Sequence, residues 1–406
     1  MTPRLTDQPW LTASSTLTVM AALEAAGGPG CARFVGGCVR NALIGAPVDD
    51  IDIATTLKPE QTDKAIRIAG LKAVPTGMAH GTVTAVTERT PFEITTLRRD
   101  VSTDGRNATV AFTDDWAEDA GRRDFRLNAL YADAHGAVFD PTGHGIADAE
   151  AGRIVFVGDP ETRITEDYLR ILRFFRFFAW YGQGYPDAAA LVACRKLAPG
   201  MIRLSAERVS KELMKLLAAP DPRPAMAAMA AALVLGEVLP EAETLDLFDA
   251  TVALTNDPVL RLMSLIPADA GVVRAVSARL RLANSMRERL LEAALAQPEV
   301  TLSMSDAALR AILYRRGARA VSAALHRAWA EDSGRSEDAE RLLRLAQDWT
   351  APTLPVGGRQ VARLGVEPGP ETGRLLKAFE TSWIADDFPA EGHAERLAGL
   401  ITPPPG

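Results

Sequence analysis

Apolar and polar positions follow two different periods along this chain. As far as Pro141, short runs alternate in steps of two: ARFVGG, DIDIAT, GTVTAV, FEITTL, ATVAF, ALYAD and AVFD, bounded by Gly, Asp and Asn. Alternation sends every second side chain to the same face of an extended segment, so these runs predict strands, with PEQTDKAIRIAG between them predicting a helix. After Arg163 the alternation fades. TEDYLRILRFFRFFAWYG, AERVSKELMKLLAA and ALRAILYRRGARAVSAALHRAWA carry apolar residues three and four apart, the period of a helix with one buried stripe. Pro and Gly punctuate the series at AAPDPRPA, LGEVLPEA, TAPTLPVGG and EPGPETG. The pattern predicts an α/β or α+β domain first and an all-helical remainder with breaks near 220 and 350.

At 406 residues the chain exceeds a single core, and about 150 residues per domain implies two to four domains. An apolar share of 47% and a charged share of 24% are those of a globular protein, which excludes wholesale disorder. Net charge is −7, so a nucleic-acid site would have to be a local basic surface. Between Arg163 and Glu212 there are nine Lys and Arg against five Asp and Glu, a local excess that suits an RNA backbone. Cys31, Cys38 and Cys194 are too scattered for a disulfide framework or a zinc site and point to a reducing, cytoplasmic setting. No stretch of about 18 uncharged apolar residues occurs and the N-terminus lacks the layout of a secretion signal, so no membrane association is expected.

The chemistry concentrates in FVGGCVRNALIGAPVDDIDIAT. Gly36 and Gly37 make a strand-to-helix turn whose backbone can approach a phosphate, with Arg40 as countercharge. In DDIDIAT, Asp50 and Asp52 share one face of a strand while Ile51 and Ile53 enter the core. Two carboxylates that close repel unless a cation lies between them, and hard oxygen ligands suit Mg²⁺ sharing its shell with substrate phosphates. An isolated Asp-x-Asp would read as a solvated strand face. Behind a Gly-Gly-x-x-Arg turn, the metal reading is preferred.

With these residues in place the sequence resembles the bacterial-type (class II) tRNA nucleotidyltransferases, the CCA-adding enzymes and their poly(A) polymerase relatives. The family pattern appears as Gly36-Gly37-Cys38-Val39-Arg40-Asn41, then Asp50-Ile51-Asp52-Ile53-Ala54-Thr55. HGTVT (80–84), FEITTLRRD (92–100), DGRNATVAF (104–112), RRDFRLNALYAD (122–133), ITEDYLRILRFFRF (164–177) and LSAERVSKEL (204–213) follow in the family's order. Asn41 departs from the pattern, standing where the family usually has Asp. The resemblance implies an α+β fold: a polymerase-β-like nucleotidyltransferase head at 1–145, a helical neck at 146–220 that reads the nucleotide base, a helical body at 221–350 that binds tRNA, and a helical tail at 351–406.

By the same resemblance, a nucleotidyl group passes from CTP or ATP to an RNA 3′-hydroxyl with release of pyrophosphate, assisted by two metal ions about 4 Å apart. Asp50 and Asp52 would be the metal ligands and Glu93 a third acid, unless it is an ordinary strand carboxylate. Arg123 would touch the triphosphate, and Asp124 and Asn128 would organise the ribose side or the turn itself. Asp167 and Arg170, three apart on one helix surface, would read the base. A carboxylate only accepts hydrogen bonds and a guanidinium only donates them. Cytosine and adenine both set an amino donor beside an unprotonated ring nitrogen, which fits such a pair; uracil and guanine reverse the order. Arg173 and Arg176 on the same stripe would complete the nucleotide-binding set, Arg173 reaching the triphosphate and Arg176 carried away from Asp167 by a drift of roughly 60° per three residues. The segment from Arg98 to Phe112, with Ser102, Thr103, Asp104 and Gly105, reads as a flexible loop that in the family helps switch between C and A addition. Poly(A) polymerase is the main rival, disfavoured by the negative net charge and the lack of a basic C-terminal extension, and CC-only or A-only addition are variants. None of the five histidines is followed by Asp, which argues against an HD phosphohydrolase activity. The expected partners are tRNA, CTP and ATP; no protein partner is inferred.

Overall fold

The computed structural model describes residues 3–87, 90–103 and 108–401. The chain divides into two compact units, 1–240 and 241–406. The first holds all the strands among the described residues: β1 (Ala32–Val35), β2 (Asp52–Thr55), β3 (Lys72–Gly77), β4 (Thr82–Thr87), β5 (Thr90–Thr96), β6 (Arg98–Thr103), β7 (Ala108–Phe112), β8 (Tyr131–Ala132) and β9 (Val138–Phe139). Seven of them form one mixed sheet in the order β3-β4-β5-β2-β1-β8-β9. β1 runs antiparallel to β2, with Phe34 opposite Ile53, and β2 runs parallel to β5, with Asp52 opposite Glu93. Phe34, Ile53 and Ile94 are fully buried, which holds this register, since a slip of one residue would turn them to the other face.

Two segments differ from the sequence expectation. β3 reads KAVPTG, and its Pro75 argues against a strand; the strand forms because it is at the sheet edge, where a missing N–H leaves no ladder bond unmade. The run from Arg98 to Phe112, expected as a flexible loop ending in the ATVAF strand, has strands on both sides: ATVAF forms β7 as expected, and β6 pairs with it antiparallel, Arg98 opposite Phe112 and Thr103 opposite Ala108. Asp104 and Gly105 lie outside the described residues. At the other edge of the sheet, Val138 N–H donates to the Pro3 carbonyl at 3.1 Å, and Arg4 forms an isolated antiparallel bridge with Ala137.

A set of phenylalanines joins the sheet to the helix Leu169–Tyr181. Phe125 packs on Phe156 at 4.9 Å between ring centroids and on Phe177 at 5.2 Å, while Phe156 stacks on Phe174 at 5.9 Å. Each ring buries a large apolar area, and such pairs add about 0.5–1.5 kcal/mol beyond area alone. The aromatics of FRFF are therefore packing residues.

The second unit is helical throughout its described residues, with two apolar clusters. One gathers residues of 296–346, including Leu309, Val321, Leu325 and Leu342. The other gathers Val356, Val361, Leu375, Phe379, Trp383 and Leu397. The long helical run 306–331 is two helices, Asp306–Arg316 and Ala318–Glu331, separated at Gly317.

Phe125→Ala should cost about 3–5 kcal/mol, because the void lies between two buried rings that cannot follow it. Urea unfolding followed through the first unit checks this; a loss below about 1 kcal/mol would mean that the cluster does not join helix to sheet.

Candidate active site

The turn between β1 and the helix Gly37–Leu43 begins the site. Gly36 has φ +73°, a region an L side chain seldom enters, and a Cβ there would lie 3.7 Å from both Arg123 Nη1 and the Asn128 carbonyl. The glycine brings the backbone close to Arg123, and the helix that follows starts with N–H groups outside intrahelical bonding. Arg40, expected as a free countercharge, is instead 6% exposed and well occupied. It donates to Asn128 Oδ1, to the Tyr181 hydroxyl at 2.8 Å and to Asn41 Oδ1 at 2.8 and 3.1 Å, and its guanidinium lies 4.0 Å from the Tyr181 ring centroid. It braces the turn against the neighbouring helix.

β2 begins at Asp52, so Asp50 belongs to the preceding loop and not, as expected, to the strand. The parallel register with β5 sets Asp52 beside Glu93. Burial, then the charge of Glu93 and to a lesser degree that of Asp50, push the Asp52 carboxyl up to about 6, against the opposing pull of Arg123. Among the described residues no three His, Cys, Asp or Glu side chains already converge on a single point. What the site does hold is Asp52 beside Glu93, a repulsion between carboxylates that a cation would relieve.

Arg123 is held by Asp119, which accepts from its Nε at 3.2 Å and Nη2 at 3.0 Å, and by the Tyr131 hydroxyl at 3.3 Å. Burial pulls this guanidinium's pKa down, but Tyr131 and Asp119 outweigh it and keep the pKa above the ordinary value. Asp124 is buried; it accepts from Arg173 Nε at 2.9 Å, Asn128 Nδ2 at 3.1 Å and the Phe125 N–H at 2.9 Å. Burial alone would raise its pKa, yet Arg173 and Asn128 hold it at about 2. Arg176 points elsewhere, donating to the buried Glu212 of the helix Ala206–Leu217 and lying 4.3 Å from the Phe177 ring centroid.

The segment TEDYLRILRFF, expected as one helix, is two: Pro160–Glu166 and Leu169–Tyr181. Asp167 sits in the break with extended backbone (φ −154°, ψ 106°). Its Oδ1 accepts the Leu169 N–H at 3.1 Å, competing with helix continuation as short polar side chains do. Asp167 and Arg170 are therefore not neighbours along one helix surface. Asp167 Oδ2 accepts from Arg208 at 2.7 Å, whereas Arg170 donates to Glu166 and to the Arg163 carbonyl at 2.6 Å. The break is packed shut at Gly200, where a Cβ would come within 1.9 Å of the Tyr168 ring.

These side chains surround a cavity of about 300 Å³ lined by Arg122, Arg123, Asp124, Asp167, Leu169, Arg170, Arg173 and Arg208. The lining carries five guanidinium groups and two carboxylates, and Asp119 and Glu166 pair three of the guanidinium groups from outside it; the remaining donor capacity suits an anionic ligand such as a triphosphate. Sequence reasoning did not single out Arg208, Glu212, Asp119, Glu166 or Tyr181. Arg208 and Glu212 lie within LSAERVSKEL and Asp119 lies four residues before Arg123, but nothing local marks them as partners.

Comparison with known proteins gives the family. Residues 32–155 match the poly A polymerase head domain, and 187–245 match the probable RNA and SrmB-binding site of polymerase A. The chain is 32% identical over 382 residues to the human CCA tRNA nucleotidyltransferase 1, mitochondrial, covering 88% of this chain and 84% of that one. In fold it is similar to the Bacillus stearothermophilus CCA-adding enzyme in complex with CTP (TM-score 0.74, 24% identity, 93% and 94% of the two chains). It is also similar to the Thermotoga maritima CCA-adding enzyme complexed with tRNA (TM-score 0.68, 19% identity, 96% of each). This chain belongs to the CCA tRNA nucleotidyltransferases, an enzyme family whose head domain is shared with poly(A) polymerases.

A carboxyl raised above its unfolded value destabilises the fold when ionised, so the penalty at Asp52 is full above about pH 6 and fades as pH falls towards 4. Asp52→Asn should therefore raise the melting temperature of the metal-free protein at pH 8, with the gain shrinking by pH 4.5. A gain independent of pH, read by calorimetry, would refute the crowding of Asp52.

Proposed function

We propose that this protein adds C, C and A to the 3′ end of tRNA from CTP and ATP, releasing pyrophosphate. One observation carries the reading. Arg123 lies in the electrostatic field of Asp52 and also lines the arginine cavity that contains Asp167 and Arg170. A triphosphate beside Arg123 thus has the carboxylates at one end and the base-reading residues at the other.

In this reading Asp50 and Asp52 hold Mg²⁺, with Glu93 adding negative charge beside them. The repulsion at Asp52 is the reason the site fits a divalent cation. Bound there, Mg²⁺ would activate the RNA hydroxyl and neutralise the departing pyrophosphate. Arg123 and Arg173 bind and orient the phosphates, while Gly36 and Gly37 let the main chain approach them. Asp124 and Asn128 keep Arg173 and Arg40 in place. Asp167 accepts from the amino group of cytosine or adenine, and Arg170 donates to the adjacent ring nitrogen. Uracil or guanine would leave these half-buried groups, covered by the bound base, facing their own kind, at about 1–3 kcal/mol per group. Arg176, bound to Glu212, supports the helix rather than the nucleotide.

The division into head (1–145), neck (146–220), body (221–350) and tail (351–406) goes with this reading, with the tRNA end at the head and neck and the elbow on the later helices. Among the described residues no helix is long and apolar enough to cross a membrane, and the three cysteines are free and buried. These cysteines are compatible with a reducing compartment, and we infer a cytoplasmic site of action.

Purified protein given tRNA lacking its CCA end, Mg²⁺, CTP and ATP should incorporate two C and one A. Long A tracts would instead identify a poly(A) polymerase, and no incorporation would leave an RNA-binding module. Asp50→Ala and Asp52→Ala should each abolish addition with tRNA binding retained in a gel-shift assay; near wild-type turnover would refute their role. Asp167→Ala should admit UTP and GTP about tenfold or more relative to CTP, the equivalent of one unmet polar group. Unchanged base selectivity in that variant would move base reading to other residues.

A further inference from the structure

Asn41 is the one departure from the family's motif, and its side chain is tied at both ends. Arg40 donates to Asn41 Oδ1 from Nε at 3.1 Å and from Nη2 at 2.8 Å, while Asn41 Nδ2 donates to the Pro47 carbonyl at 2.6 Å. A guanidinium has only donors and a carbonyl only an acceptor, so the two partners fix which way the amide faces. The main chain of the same residue reinforces the tie, for the Asn41 carbonyl accepts the Ala46 N–H at 2.9 Å. At the far end of the loop, the Cys38 thiol reaches the Asp52 carbonyl at 3.8 Å. Only Val48 to Ile51 span the gap between these anchors, and Asp50 is among them. The frame behind the tie is rigid, since Arg40 is itself held by Asn128 and Tyr181.

We propose that Asn41 is a positioning residue for the carboxylate loop: its amide pins Pro47 to Arg40 and so sets where Asp50 is presented. The inference rests on the reading of Asp50 and Asp52 as metal ligands. An aspartate at 41, the residue the family usually carries, would keep the bond to Arg40 but set a carboxylate oxygen against the Pro47 carbonyl. In this chain the isosteric change is therefore not conservative.

Three measurements on Asn41→Asp and Asn41→Ala test this. Without metal, hydrogen exchange at the Ala46 amide, which donates to the Asn41 carbonyl at the start of the loop, should quicken roughly tenfold, the size of one lost hydrogen bond, with the helix Gly37–Leu43 unchanged. Mn²⁺ titration should give a dissociation constant raised by a similar factor. Turnover at limiting Mg²⁺ should fall while KM for CTP stays within about twofold. Wild-type exchange and Mn²⁺ affinity in both variants would overturn the proposal, as would faster exchange spread over the helix with a raised KM for CTP, which would indicate a general scaffold role. Asp50→Ala measured alongside separates the two levels: full turnover and Mn²⁺ binding in that variant would overturn the metal reading, while exchange in the Asn41 variants still reports on the tie.

Discussion

The ion pair between Asp124 and Arg173 joins the sheet domain to the helix that borders the cavity, and its carboxylate is almost wholly shielded from water. The pair extends in both directions. Asp124 accepts from Asn128, Asn128 accepts from Arg40, and Arg40 donates to Tyr181 near the end of the same helix; on the other side Arg173 lies 3.9 Å from Glu212, which binds Arg176. A buried charge left alone costs about 3–5 kcal/mol, so each member of this chain of contacts obliges the next. The glycine turn, the RRD segment and the neck helix are held in one frame by polar contacts, with the phenylalanine cluster packed alongside.

In that frame every guanidinium lining the cavity has a carboxylate partner. Arg122 and Arg123 share Asp119, Arg170 has Glu166, Arg173 has Asp124 and Arg208 has Asp167. On the proposed reading a nucleotide enters a set of satisfied donors, already oriented, and adds acceptors to them. Pre-orientation of this kind lowers the cost of ordering long side chains on binding. Asp167 retains acceptor capacity, because a carboxylate with two partners still has lone pairs for a third.

Much of the fold was legible because its strands alternate cleanly and its helices keep their period. Asp52 and Glu93 could be anticipated as neighbours from two β-runs, although the parallel pairing of those runs depends on tertiary packing. The break at Asp167 was not legible: Leu169, Ile171 and Leu172 continue the apolar stripe past it, and only the polar TED hints at a cap. The partners of Arg40 were not legible for a related reason, because a cation beside a glycine turn has the same local sequence whether or not it packs against Tyr181. Asp119, Arg208 and Glu212 act through partners 3 to 41 residues distant, and such pairings arise only on folding.

The two rims of the large sheet have a further consequence, for solubility. An unpaired strand rim invites another molecule to add its own strand, the start of ordered aggregation. On one side β3 counters this with Pro75, which offers no donor, and with the charge of Lys72. On the other, the backbone of Pro3 to Leu5 lies along the short β9 hairpin and takes up its free groups. Those few leading residues thus act as a sacrificial selvage. Replacing the Pro3 to Leu5 segment with one that cannot lie along β9 would bare an adhesive border on the far rim from β3.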